Sequence, residues 1–217
     1  MKPIYLRLSK PFGELAVEAS RFWGSPALPK GMDYPQYIDD EGDEYPYVFV
    51  CQINLAELKA FCGDGADPLP PTGLLLFFAK IDHYLGQFAA TDCIGGAISA
   101  PDAVKVIYVK DCSGLREVVL VDDDDQPMSP DALEISFTRE HDPLADDHAL
   151  FARPDHREWE SWDHPYEDWQ ILLQVDSFSG MDFNLNFMDF GVLDFLISPE
   201  ALRDADFSDV RAIVLSS

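Results

Sequence analysis

Apolar and polar residues alternate over Ile4-Tyr5-Leu6-Arg7-Leu8, the period of two that marks a strand with one buried face. Residues 47–53 (Tyr-Val-Phe-Val-Cys-Gln-Ile) predict a second, stronger strand. Asn54 then precedes a helical pattern with Leu55, Leu58 and Cys62 on one face and Phe61 beside them. An Asn oxygen at that place accepts an unpaired amide of the first turn, and Glu57 is placed to reach back in a capping box. Gly63-Asp64-Gly65 ends this helix, and Pro68-Leu69-Pro70-Pro71 prevents its resumption. The unbroken apolar run from Gly73 to Phe78 predicts a strand buried on both faces.

Further along, residues 103–109 and 115–121 flank Asp111-Cys112-Ser113-Gly114 and read as a hairpin. Residues 133–138, 169–175, 191–197 and 210–215 read as strands, with a short helix near 146–151. Ser198 followed by Pro199 has the form of a helix start, a serine cap with proline at the first helical position. Residues 26–46 hold Pro26, Pro29, Pro35 and Pro46 with a run of carboxylates, which predicts an extended surface loop. Strands with a few short helices argue for an α+β class, mostly antiparallel or mixed, in one domain over residues 1–217, and against a doubly wound sheet.

An internal repeat can be set in two registers. One matches Cys51-Gln52-Ile53-Asn54 and the strand after Gly73 with Leu173-Gln174-Val175-Asp176 and the strand after Gly191. The other matches the strand-cap-helix unit at Ile53-Asn54 with that at Ile197-Ser198. The two are incompatible, because they give the strand after Gly191 different partners.

Composition narrows the function classes. The 217 residues carry 40 acidic and 15 basic side chains, a net charge of −25, with 47% apolar residues. So apolar a chain can bury a core and is not intrinsically disordered. No apolar run approaches the ~20 residues of a membrane-spanning helix. Arg7 interrupts any leader-like segment. Cys51, Cys62, Cys93 and Cys112 include no Cys-x-x-Cys pair, which suits reduced thiols in a cytoplasmic protein. The charge repels nucleic acid and anionic membranes. Residues 121–170 hold sixteen acidic and three basic groups, a field that favours docking of a basic protein.

Motifs that resemble active sites are incomplete. Asp189-Phe190-Gly191 lacks every other kinase element. His156-Arg157-Glu158 lacks the downstream Pro-Cys-x-x-Cys of zinc deaminases. A calcium loop from Asp122 would need glycine and glutamate where Pro127 and Leu133 stand. His141, Asp142, Asp146, Asp147 and His148 offer metal-ligand chemistry without a metal-ligand spacing. Neither a metal nor a cofactor is expected. The more informative set is polar residues inside apolar strands: Gln52, Asn54, Gln174 and Asp176. Buried amides and carboxylates must find partners. The structural reading has them bridging backbone. The functional reading is a polar cleft with Arg21 and Trp23 at its rim, suited to a sugar or a peptide.

Residues 20–29 (Ser-Arg-Phe-Trp-Gly-Ser-Pro-Ala-Leu-Pro) are similar to a Ser-Lys-Phe-Gly-Gly-x-Pro-x-Leu-Pro motif. Residues 49–58 resemble Phe-Leu-Ala-Gln-Ile-Asn-Leu-Ala-Glu-Leu, and residues 172–177 resemble Leu-Leu-Gln-Ile-Asp-Ser. In this order the segments resemble the YwqG-like family of bacterial domains of unknown function. The resemblance runs from about residue 20 to the end. It implies an α+β fold with curved mixed sheets and supplies no established reaction. The function expected is a non-enzymatic binding or interaction module, immunity-like or adaptor-like, with an acidic surface. The alternative is a small-molecule-binding domain or hydrolase using the Gln52/Asn54/Gln174/Asp176 cleft.

Overall fold

A computed structural model describes residues 2–39, 41–63, 68–87, 94–153, 162–180 and 183–216. Its strands in chain order are β1 Ile4–Ser9, β2 Arg21–Phe22, β3 Ala27–Pro29, β4 Gln36–Ile38, β5 Glu44–Pro46, β6 Val48–Asn54, β7 Leu74–Ala79, β8 Val104–Val109, β9 Leu115–Glu117, β10 Leu133–Thr138, β11 Ala149–Leu150, β12 Gln170–Asp176, β13 Phe178–Gly180, β14 Phe183–Leu185, β15 Val192–Ile197 and β16 Arg211–Leu215. The helices are α1 Leu55–Cys62 and α2 Pro199–Arg203, with a 3-10 turn over Asp82–Leu85.

The α+β expectation is corrected here. Strand accounts for 38% and helix for 9% of the described residues, which are therefore mostly β. Both helices begin after the expected caps, Asn54 and Ser198, but neither is long enough to form a layer. Between strands the described chain runs through proline-, glycine- and aspartate-rich loops, whose backbone preferences oppose helix. The hairpin expected over residues 103–121 is also absent: β9 pairs antiparallel with β3, and β8 lies beside β7. The expected helix near 146–151 is replaced by β11.

The chain divides into two compact units. The N-terminal unit comprises Leu8–Ala79 and Lys105–Ser136. Its main sheet runs β10-β2-β6-β7-β8. One face carries Leu28, Tyr47, Phe49, Leu74, Leu76, Phe78 and Val109, all buried, with Tyr34 and Tyr37 packed against them. Asn54 Oδ1 accepts from the amides of Ala56 and Glu57 at 2.9 and 3.3 Å, which starts α1. Glu57 does not complete the capping box; its Oε2 accepts from the Ser20 amide at 3.1 Å.

The C-terminal unit comprises Met1–Arg7, Lys80–Val104 and Phe137–Ser217. Its strands run β1-β11-β12-β15-β16. Trp162, Ile171, Leu196 and Ile213 form a core cluster, with Tyr166 and Trp169 against it. Ser198 Oγ accepts from the Ala201 amide at 3.1 Å and starts α2.

The strand pairings of the two units match residue for residue, and they decide the repeat register. Gln52 pairs with Arg21 on one side and Leu76 on the other; Gln174 pairs with Ala149 and Asp194. The register shift between Phe49 and Cys51 recurs between Ile171 and Leu173. The shift follows from one backbone device used twice. Trp23 and Phe151, both at positive φ (59° and 55°), donate their amides to Val50 and Leu172, the residues skipped by the pairing. Gly73 and Gly191 each precede the next strand, where a Cβ would meet the carbonyl oxygen of Val109 or Leu215. The strand after Gly191 is therefore the counterpart of the strand after Gly73, and the strand-cap-helix register is excluded.

Candidate functional site

Strand register sets which side chains share a face, because cross-strand partners point the same way. In the N-terminal unit the row reads Glu134, Arg21, Gln52, Leu76. In the C-terminal unit it reads Tyr5, Ala149, Gln174, Asp194, Ile213. The candidate residues thus fall on equivalent positions of two units: Arg21, Trp23, Gln52 and Asn54 in one, Gln174 and Asp176 in the other.

Within the N-terminal unit, Arg21 and Trp23 are interior rather than at a rim, 2% and 1% exposed. A buried guanidinium needs strong partners to offset its lost hydration. Arg21 pairs with the Glu117 carboxylate through Nη1 and donates through Nη2 to the carbonyls of Ala16 and Val17. Gln52 is fully buried and spends its amide on backbone: Oε1 accepts from the Ala27 amide at 3.0 Å, and Nε2 donates to Val17 and Ala19 at 2.9 and 2.8 Å. Asn54 caps α1 and donates to the Glu18 carbonyl.

The C-terminal unit repeats this frame with different chemistry. Gln174 Nε2 donates to the Asp147 carbonyl at 2.9 Å, as Gln52 does to Ala19. The Asp176 amide donates to His148 Nδ1 at 3.0 Å, where its counterpart Asn54 donates to Ser20 Oγ. An Nδ1 that accepts carries no proton, and burial together with the charge of Arg7 pushes His148 down to about 3. His148 is therefore a neutral structural acceptor. Asp176 Oδ2 accepts from the Asp147 amide at 2.9 Å. Burial, and then the nearby Asp176 charge, raise Asp146 above the usual carboxylate range.

Tyr5, Ala149 and Gln174 line a cavity of about 280 Å³, together with Pro3, His141, Asp147, Ala152 and Arg153. His141 Nε2 lies 3.2 Å from Asp147 Oδ1, and its ring lies 5.4 Å from that of Tyr5. Arg7 sits over Tyr5 at 5.3 Å and donates to the Asp146 carbonyl. Next along the row, Asp194 is 1% exposed, and neither of its carboxyl oxygens has a hydrogen-bond partner among the described residues. Burial raises it well above the usual range, so it is held as the neutral acid.

By residue type the sequence offers His141, Asp147 and His148 as metal-ligand candidates, and it does not single out Tyr5, Ala149, Arg153 or Asp194. Among the described residues no group of three or more His, Cys, Asp or Glu is arranged to hold a metal. His156-Arg157-Glu158 lies outside the described residues. The signal for Asp194 was present: a carboxylate in the apolar run 192–197, aligned with Leu76 in the first repeat register. Asp122 to Asp125 form a turn in which Asp122 Oδ1 accepts the amides of Asp124 and Gln126, both at 2.9 Å. Cys51 and Cys112 are free thiols. No described helix is long and apolar enough to cross a membrane.

No curated protein matches the chain. A family model described as a domain of unknown function (DUF1963) matches residues 20–214, and the chain belongs to that family.

Proposed function

We propose that the chain is a non-enzymatic binding module that engages a basic protein through an acidic surface. The observation that supports this reading most directly is uncompensated charge. In the N-terminal unit Asp122, Asp123, Asp124, Asp125, Asp131 and Glu134 are exposed, and no Lys or Arg among the described residues forms an ion pair with any of them. Such a surface accelerates encounter with a basic partner and loses its grip as salt rises. The free thiols of Cys51 and Cys112 suit a reducing, cytoplasmic setting. The likeness to the YwqG-like family is carried as part of this proposal and adds no reaction to it.

Replacing Asp122 to Asp125 by asparagine tests it. A basic protein should be captured by the native chain at low ionic strength and released at about 0.5 M salt. The asparagine variant should fail to capture it. Capture that ignores both salt and substitution, or no capture at any salt, would overturn the reading.

The alternative, a small-molecule site or hydrolase around Gln52, Asn54, Gln174 and Asp176, draws no support from the N-terminal unit, where Gln52 and Asn54 are engaged by backbone. The C-terminal unit favours it through the cavity beside Gln174.

A further inference from the structure

The cavity of the C-terminal unit lies where the N-terminal unit carries a side chain. Arg21 and Ala149 occupy the same place in the repeat, each opposite the buried glutamine of the neighbouring strand. From that place the Arg21 side chain reaches the Glu117 carboxylate and two backbone carbonyls. Ala149 ends at its Cβ, and its wall opens on the cavity.

The lining carries both signs of charge. It includes the Asp147 carboxylate, 3.2 Å from His141, and Gln174, 6% exposed. It also includes Arg153, with Tyr5, Pro3, Ala149 and Ala152. A simple anion would be repelled at Asp147, whose amide is already held by the Asp176 carboxylate and whose neighbour is Asp146. A simple cation would leave Arg153 without a counter-charge. A molecule carrying both charges on a short aliphatic stem satisfies Asp147 and Arg153 together, and charge-assisted hydrogen bonds to the two fix its direction.

We propose that this cavity binds a small zwitterion of the basic amino-acid class, its guanidinium or ammonium head at Asp147 in the manner of the Arg21 head, and its carboxylate at Arg153. This goes beyond the acidic-surface reading and does not depend on it.

Calorimetric titration with L-arginine and L-lysine tests the proposal, with agmatine as the analogue lacking the carboxylate. At least one amino acid should bind the native protein, and agmatine should bind at least about tenfold more weakly. Asp147→Asn should weaken amino-acid binding at least about tenfold while leaving the circular dichroism spectrum unchanged. Ala149→Arg, which restores the side chain of the other repeat, should abolish binding. No heat with either amino acid at about 10 mM, equal affinity for the native protein and Asp147→Asn, or agmatine binding as well as L-arginine would each overturn it.

Discussion

Asp194 and His148 are both buried and neutral, yet they link folding to pH with opposite signs. His148 is shifted from an ordinary 6.5 down to about 3. The unfolded chain therefore takes up a proton below about 6.5 that the folded chain refuses, and stability is lost as pH falls from there toward about 3. Asp194 is shifted upward from 3.8. The folded chain keeps a proton that the unfolded chain releases, so its contribution is full below about 3.8 and is lost as pH rises above it. Each acts at about 1.4 kcal/mol per pH unit within its window. Between about 3.8 and 6.5 the two oppose each other. Replacing Asp194 by leucine, the residue its repeat partner Leu76 already uses, should stabilise the protein, and more at pH 8 than at pH 4. Urea midpoints at pH 4, 6 and 8 check this; an equal gain at every pH would refute it. The same variant should lose stability from pH 6.5 downward more steeply than the native chain, because His148 then acts unopposed.

At the scale of elements, the repeated unit is a strand with a fixed break. Phe49 and Cys51 straddle the shift in β6, Ile171 and Leu173 that in β12. Nothing in the hydrophobic pattern announces it, since Val50 and Leu172 are as apolar as their neighbours. What makes it is the amide of a residue at positive φ directly after the paired neighbouring strand, Trp23 after β2 or Phe151 after β11. Glycine is required at the start of the next strand. At Gly73, φ is +104° and a Cβ would lie 2.6 Å from the Val109 oxygen; at Gly191 the Leu215 oxygen blocks it. Gly191→Ala should cost about 1–3 kcal/mol or more, measured by urea unfolding, with little effect expected from alanine at Gly13, which has nothing near. Asn54→Ala should cost about 1 kcal/mol, the usual value of a lost cap.

For the whole molecule, strand order and chain order part company. β1 precedes β2 in the chain but pairs with β11, and β10 precedes β11 but pairs with β2. Each repeat takes one strand from the segment leading into the other. The boundary between the units consequently falls inside β1, β8 and β10. Neither unit is one continuous segment, so unfolding should be one cooperative event. Fluorescence of Trp23 in one unit and of Trp162 in the other, each with the remaining tryptophans replaced by phenylalanine, should report the same urea midpoint; two separated midpoints would show independent units.

The linear chain by itself determined much of this: the strands at 48–54, 74–79, 133–138 and 192–197, both helix starts, and the acidic turn at 122–125. These are local matters of side-chain period, capping chemistry and charge repulsion, which need no distant partner. The repeat was visible only as two rival alignments, because hydrophobic period is indifferent to which strand pairs with which. Tertiary structure decided that Arg21 and Ala149 are counterparts, that Gln52 and Asn54 are held by backbone, and that Asp194 is an acid without a hydrogen-bond partner among the described residues. Each of those depends on hydrogen bonds and burial between residues far apart in the chain, and no property of neighbouring residues encodes them.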